Sequence, residues 1–197
     1  MKRLALAAAF LLASFAAASQ PAKPPALTIK PLAEKKVAEL PPGELYWRIE
    51  SFGSLEQAKA AAGPYSLAAE ADGKAWLFTL GAPGGATPGA KKVTEFGPVP
   101  RITAPQYLLR INEASGPKGA VTPIHMHPGS ESFFVLRGEQ RMRGPHGVLV
   151  MEPGQPTIGH GEQPMQVWSS GATDLHSLVM FVVDATRPFS TPAKLDP

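Results

Sequence analysis

From Gln106 to Val183 the chain is cut into seven short pieces, QYLLRINEA, HMH, ESFFVLRG, EQRMRG, GVLVME, MQVWSS and LHSLVMFVV, with Gly and Pro between them. None has the length of an ordinary core helix, and most are rich in β-branched and aromatic residues. Short strands at regular spacing, separated by turn signals, predict an all-β sandwich or barrel. Composition agrees, since Gly 19 and Pro 22 make up about a fifth of the 197 residues, well above average usage. No internal repeat is visible, so one barrel is expected rather than two.

The sequence before this run has a different texture. LYWRIESF (45–52) alternates and predicts a strand. SLEQAKAAAG (54–63) predicts a helix with Ser54 as N-cap, Gln57 at the capping-box position and Gly63 as the stop. SLAAEADGKAWLFTL (66–80) is a hairpin pattern around Asp72-Gly73, the strongest two-residue turn signal. The glycine-rich GAPGGATPGA (81–90) lacks the Lys-Ser/Thr ending of a phosphate cradle and is expected to be a flexible loop. Residues 44–104 are therefore expected to form a strand–helix–hairpin extension packing on a barrel of residues 105–190.

Residues 19–43 read as a proline-rich linker, in which LAEKKVAEL is long enough for two unstable helical turns. Residues 1–18 have the layout of a signal peptide: Lys2 and Arg3, an apolar run from Leu4 to Phe15, and Ala16-Ala17-Ala18 as the cleavage pattern. A periplasmic or secreted protein with no membrane span after cleavage is expected. Removing the leader takes away two of 19 bases and no acids, so the balance is 17 minus 16, or +1. With that charge and no basic run interleaved with aromatics, nucleic acid is not an expected partner. Cys 0 excludes disulfides, thiolate metal sites and a cysteine nucleophile.

The chemistry lies in IHMHPGSESFF (124–134). Residues i and i+2 of a strand share a face, so His125 and His127 can aim at one point, and Glu131 can close on it after the Pro128-Gly129 bend. Two imidazoles and a carboxylate with open positions suit a divalent metal with catalytic use. An HxH pair alone is weak evidence, but this one is framed. Gly119, five residues, His125, one, His127, three, Glu131, six and Gly138 resemble the first motif of the cupin superfamily at every anchored position. The resemblance covers residues 105 to 185. It implies a double-stranded β-helix, or jelly-roll, barrel holding one divalent transition metal on His125, His127 and Glu131.

The second cupin motif is degenerate. In the best register it starts at Gly154, and Met165 then stands where the resemblance implies a fourth histidine ligand. Three readings stand at this position. Met165 is an apolar filler, or its thioether ligates and favours copper, or His160 from the preceding loop takes the place. The metal is copper, zinc, iron, manganese or nickel, and loading outside the cytoplasm pulls toward copper or zinc. Glu162 is a weak candidate acid or base beside His160. His146 is expected in a solvent-facing turn, and His176 as an ordinary surface or core histidine.

Strand parity places Phe133 and Val135 on the face of Glu131, Val167 on that of Met165, and Tyr107, Leu109 and Ile111 on one face taken as inner. The resulting walls are mainly apolar and suit a small organic molecule. The resemblance implies a metal-dependent oxidoreductase of dioxygenase type. A non-catalytic metal- or ligand-binding cupin is the alternative, as is a barrel that holds a small molecule without metal. A homodimer through added strands is compatible with the sequence, with Leu45–Phe52 or the 66–80 hairpin as the candidate strands, each equally able to be an internal lid.

Overall fold

The computed structural model describes residues 23–159 and 161–195, so the expected signal peptide and His160 lie outside the described residues. The chain runs β1 (Thr28–Val37), β2 (Tyr46–Phe52), α1 (Leu55–Ala60), β3 (Ser66–Ala71), β4 (Lys74–Gly81), β5 (Lys91–Phe96), β6 (Tyr107–Gly116), β7 (His125–Met126) and β8 (Gly129–Arg137). It continues with β9 (Gln140–Gly144), β10 (Gly147–Met151), β11 (Pro156–Ile158), β12 (Gln166–Ser169), β13 (Leu175–Asp184) and β14 (Thr191–Pro192). The expected short strands are all present. Among the described residues no helix is long and apolar enough to cross a membrane.

Three layers stack. A five-stranded antiparallel sheet, in the order β1-β6-β13-β8-β11, is the middle one. A smaller sheet, β10-β9-β12, faces it and is extended by β7 and β14, because His125 bridges Met165 and β7 pairs with β14. These two sheets enclose the inner core, with Phe133, Val135, Met165, Val179 and Phe181 among its residues. The extension forms the third layer, a sheet ordered β3-β4-β2-β5. It packs Trp47, Ile49 and Phe78 against Leu109, Phe134 and Met180 on the outer face of the middle sheet.

Local chemistry explains the extension. Ser54 caps α1, its side chain accepting from the Gln57 amide at 3.3 Å. Asp72 (φ 50°) and Gly73 (φ 69°) both adopt the left-handed region that the two-residue hairpin turn between β3 and β4 demands. The 81–90 loop is tied down: the buried Glu50 carboxylate accepts from the Thr87 amide at 2.8 Å and its hydroxyl at 2.6 Å, and meets Arg48 Nε at 3.1 Å.

One expectation needs correction. Residues 28–37 are not linker but the strand β1, paired antiparallel with β6 from Thr28↔Ser115 to Val37↔Tyr107 with a bulge near Pro31. Its Ala, Glu and Lys content favours helix locally, and the free edge of β6 overrides that preference. Leu45–Phe52 and the 66–80 hairpin belong to the sheet that packs on the outer face of the barrel's middle sheet. Their barrel-facing side buries Leu45, Trp47 and Phe78 fully in the core shared with the barrel.

Candidate metal centre in the barrel

β7 and β8 meet at the centre, and the turn between them is built for close approach. A Cβ on Gly129 (φ 156°) would stand 2.3 Å from the Val182 carbonyl of β13, so only glycine fits where the chain bends from His127 to Glu131. Gly138 (φ 78°) closes the far end of β8 in the same way, against the Asp174 carbonyl at 2.8 Å. Between these points β8 is locked to β13 in a register that sets Glu131 against Phe181 and Phe133 against Val179. That register turns Glu131 inward.

The three candidate ligands converge. One ligand atom from each of His125, His127 and Glu131 lies within 4.8 Å of the others. The imidazole rings stand 5.0 Å apart at 87°. His125 Nδ1 lies 2.9 Å from the Pro123 carbonyl, and His127 Nδ1 lies 2.6 Å from the Phe189 carbonyl. A carbonyl only accepts, so both Nδ1 atoms carry the proton and both Nε2 atoms keep a lone pair for a cation.

Electrostatics fits the same picture. Burial pushes the Glu131 carboxyl up to about 8, and burial pulls His127 down to about 4 against the raising effect of the Phe189 carbonyl. His127 Nε2 and Glu131 Oε2 face each other at 3.4 Å, yet Oε2 has no hydrogen-bond partner. The contact is not a salt bridge, because a histidine this hard to protonate is neutral. Two acceptors face one another and are reconciled by a proton on Glu131 or by a cation between them. The donor set and the orphaned oxygen both fit a divalent transition ion. The ligand set lies between the two facing antiparallel sheets. The chain folds as a jelly-roll barrel of antiparallel strands.

A cavity of about 350 Å³ opens from the centre of the barrel. Its walls are mostly apolar, with Phe133, Val167, Val179, Phe181 and Phe189 prominent, and Asn112, Thr122 and Gln140 supply polar groups. The segment 187–193 straps the mouth. β14 pairs with β7 through Thr191↔Met126 and Pro192↔His125, and Phe189 lies 4.7 Å from the His127 ring and 4.4 Å from the Arg110 guanidinium.

The structure sorts the other candidates. Met165 stands directly opposite His125, each amide donating to the other's carbonyl at 2.8 and 3.0 Å. Its side chain is buried with Met142 and Met151, and it lines a separate cavity of about 100 Å³ rather than the main one. Glu162 (φ 57°) is half exposed and ion-paired with Arg187, while its amide donates to the His127 carbonyl at 3.2 Å. Phe133 and Val167 line the cavity, and Val135 is buried one layer deeper in the same core. His146 sits exposed in the β9–β10 turn. His176 pairs with Glu113 at 3.3 Å, away from the cluster.

Tyr107 and Leu109 do not line the cavity, nor does Ile111; all three face the extension. Both faces of β6 are covered, so alternation alone had no solvent side to fix its phase. The inner residues of β6 are instead Asn112 and Ala114. Sequence reasoning missed Asn112, Gln140, Phe181 and Phe189. Asn112 and Gln140 carried a usable signal, as polar residues alternating with apolar ones in strand patterns. Phe189 lies beyond the last strand pattern and carried none.

No protein-family model and no curated protein matches the sequence. Among solved structures, the DMSP lyase DddQ from Ruegeria pomeroyi DSS-3 is similar at 21% identity and a TM-score of 0.38, over 43% of this chain and 43% of that one. A conserved protein with a double-stranded β-helix domain from Klebsiella pneumoniae matches at 20% identity and 0.38, over 43% and 70%. A cupin-like protein from Thermotoga maritima matches at 14% identity and 0.39, over 43% and 64%. The chain thus spans less than half the length of the lyase.

Proposed function

We propose that this is an exported, metal-dependent oxidoreductase of dioxygenase type that acts on a small, largely apolar organic molecule. His125, His127 and Glu131 hold one divalent transition ion, with copper or zinc favoured by loading outside the cytoplasm. One observation carries the reading: three ligand atoms within 4.8 Å, both Nδ1 atoms already committed to carbonyls, at the wall of a 350 Å³ apolar cavity.

The ion would supply a Lewis-acid centre with open coordination positions, which is what the oxygenase reading needs. The chain's own residues do the rest. Pro123 and Phe189 hold the imidazoles in one tautomer through their carbonyls. Phe133, Phe181 and Phe189 keep water from the centre and offer faces to an apolar substrate. Asn112 and Gln140 are the buried polar residues that can orient it.

A second reading, a non-catalytic metal- or ligand-binding protein, is favoured by one observation. Among the described residues no fourth histidine or carboxylate joins the cluster, and Met165 lines a different cavity. Oxygen uptake by the metal-loaded protein across catechols, flavonols, diketones and thiols separates the two. Turnover that His125→Ala removes supports the enzyme. Metal bound at full stoichiometry with no uptake on any of these supports the binder.

A further inference from the structure

Two amides in the wall of the main cavity are each held in one orientation by a partner that works in one direction. Arg110 Nε donates to Asn112 Oδ1 at 2.9 Å. A guanidinium never accepts, so Asn112 turns its oxygen to Arg110 and keeps its NH2 for other partners. Gln140 Nε2 donates to Met151 Sδ at 3.6 Å. A thioether never donates, so here the nitrogen is committed and the oxygen is left over. Gln140 is 0% exposed and lines the cavity, and its Oε1 has no hydrogen-bond partner. A buried carbonyl in this state is costly until something donates to it.

Strand register sets both amides away from the metal centre. On the middle sheet, Arg110, Phe181 and Glu131 form one rung. Asn112, Val179 and Phe133 form the next inward-facing rung, about 7 Å along the strands. On the facing sheet, Met165 stands opposite His125, and Ser169 stands opposite Gln140. Ser169 is four residues beyond Met165, or about 13 Å of strand. Phe133, Val167 and Val179 are the apolar walls in between. Among the described residues no lysine or arginine lines the cavity, and Glu131 is its only carboxylate.

We propose, on the reading that the reacting head of the substrate sits at His125, His127 and Glu131, that the far end of the cavity recognises an uncharged polar tail. Gln140 Oε1 accepts from a hydroxyl or N–H of that tail, and the Asn112 NH2 donates to an oxygen nearer the centre. Charged tails are rejected. A carboxylate would meet the Gln140 carbonyl with no cation to neutralise it, and an ammonium would be buried with no carboxylate at that end. The substrate class is a neutral molecule with an apolar body and a donor group about 7 to 13 Å from its metal-binding atoms.

Calorimetry on the zinc-loaded full chain tests this with catechols bearing a propyl, a hydroxypropyl or a carboxyethyl tail, since zinc has no redox chemistry of its own. The hydroxypropyl tail should bind about 10-fold tighter than propyl, and the carboxyethyl tail about 10-fold weaker than propyl. Gln140→Met keeps an unbranched side chain of similar volume. It should erase the hydroxyl preference and leave the affinity for the propyl tail within about 2-fold. The same preference is read on chelator-treated protein with phenylpropanol against propylbenzene. A failed metal centre then shows as absent zinc stoichiometry beside an intact hydroxyl preference, which still supports the subsite. Equal affinities for hydroxylated and plain tails in both forms leave Oε1 to buried water and overturn the proposal. So does a preference that Gln140→Met leaves unchanged, or a protein that binds none of these probes.

Discussion

His127 donates its Nδ1 proton to the Phe189 carbonyl across 2.6 Å, so a residue beyond the last barrel strand fixes a ligand at the barrel's centre. The Phe189 ring adds contacts with His127 at 4.7 Å and with Phe181 at 4.9 Å. Phe189→Ala keeps the carbonyl but frees the strap to move. Metal affinity should fall by about 10-fold, the scale of lost outer-shell support. Competition against a chelator measures it, and an unchanged affinity would separate the strap from the metal centre.

The metal-free protein should lose stability between pH 6.5 and 8. Burial holds a proton on Glu131 up to about 8, whereas the unfolded carboxyl releases it near 4.5, so rising pH favours unfolding across that window. His127 works in the opposite direction, its proton bound only by the unfolded chain between about 4 and 6.5. The two oppose each other below 6.5, and Glu131 acts alone above it. The fall should be about 2 kcal/mol, on the scale of 1.4 kcal/mol per pKa unit. Denaturant titrations of chelator-treated protein read it, and Glu131→Gln should flatten the slope.

Met165→Leu should leave metal identity unchanged and affinity within about 2-fold, because a side chain packed with Met142 and Met151 is filler. Met165→Ala should cost about 3 kcal/mol through the cavity it opens. Loss of metal in the leucine variant would restore the thioether to the ligand set.

Glu50→Ala should destabilise the extension by about 3 to 5 kcal/mol, since it strands Arg48 in a nearly buried place and unties Thr87. The measured Tm should drop without loss of metal from the barrel. A drop below about 1 kcal/mol would mean that the 81–90 loop is held by other contacts.

Much of this was legible because short-range chemistry decided it. Asp72-Gly73 dictated its hairpin, Ser54 its cap, and the spacing from Gly119 to Gly138 brought three ligand residues to one face. What was not legible depended on partners distant in sequence. TIKPLAEKKV became β1 only because β6 offered an edge, and Tyr107 and Leu109 faced outward because the extension covers a face usually left to solvent. The Phe189 carbonyl reaches His127 across 62 residues, and no local pattern could announce that contact.

The central claim is that His125, His127 and Glu131 form one metal site, and equilibrium metal binding with elemental analysis tests it most directly. The account predicts about one divalent transition ion per chain, with His125→Ala and Glu131→Gln each reducing affinity by about 100-fold or more while the fold persists. A wild-type protein that takes up no stoichiometric metal after supplementation, or variants that bind it as tightly as wild type, would contradict it.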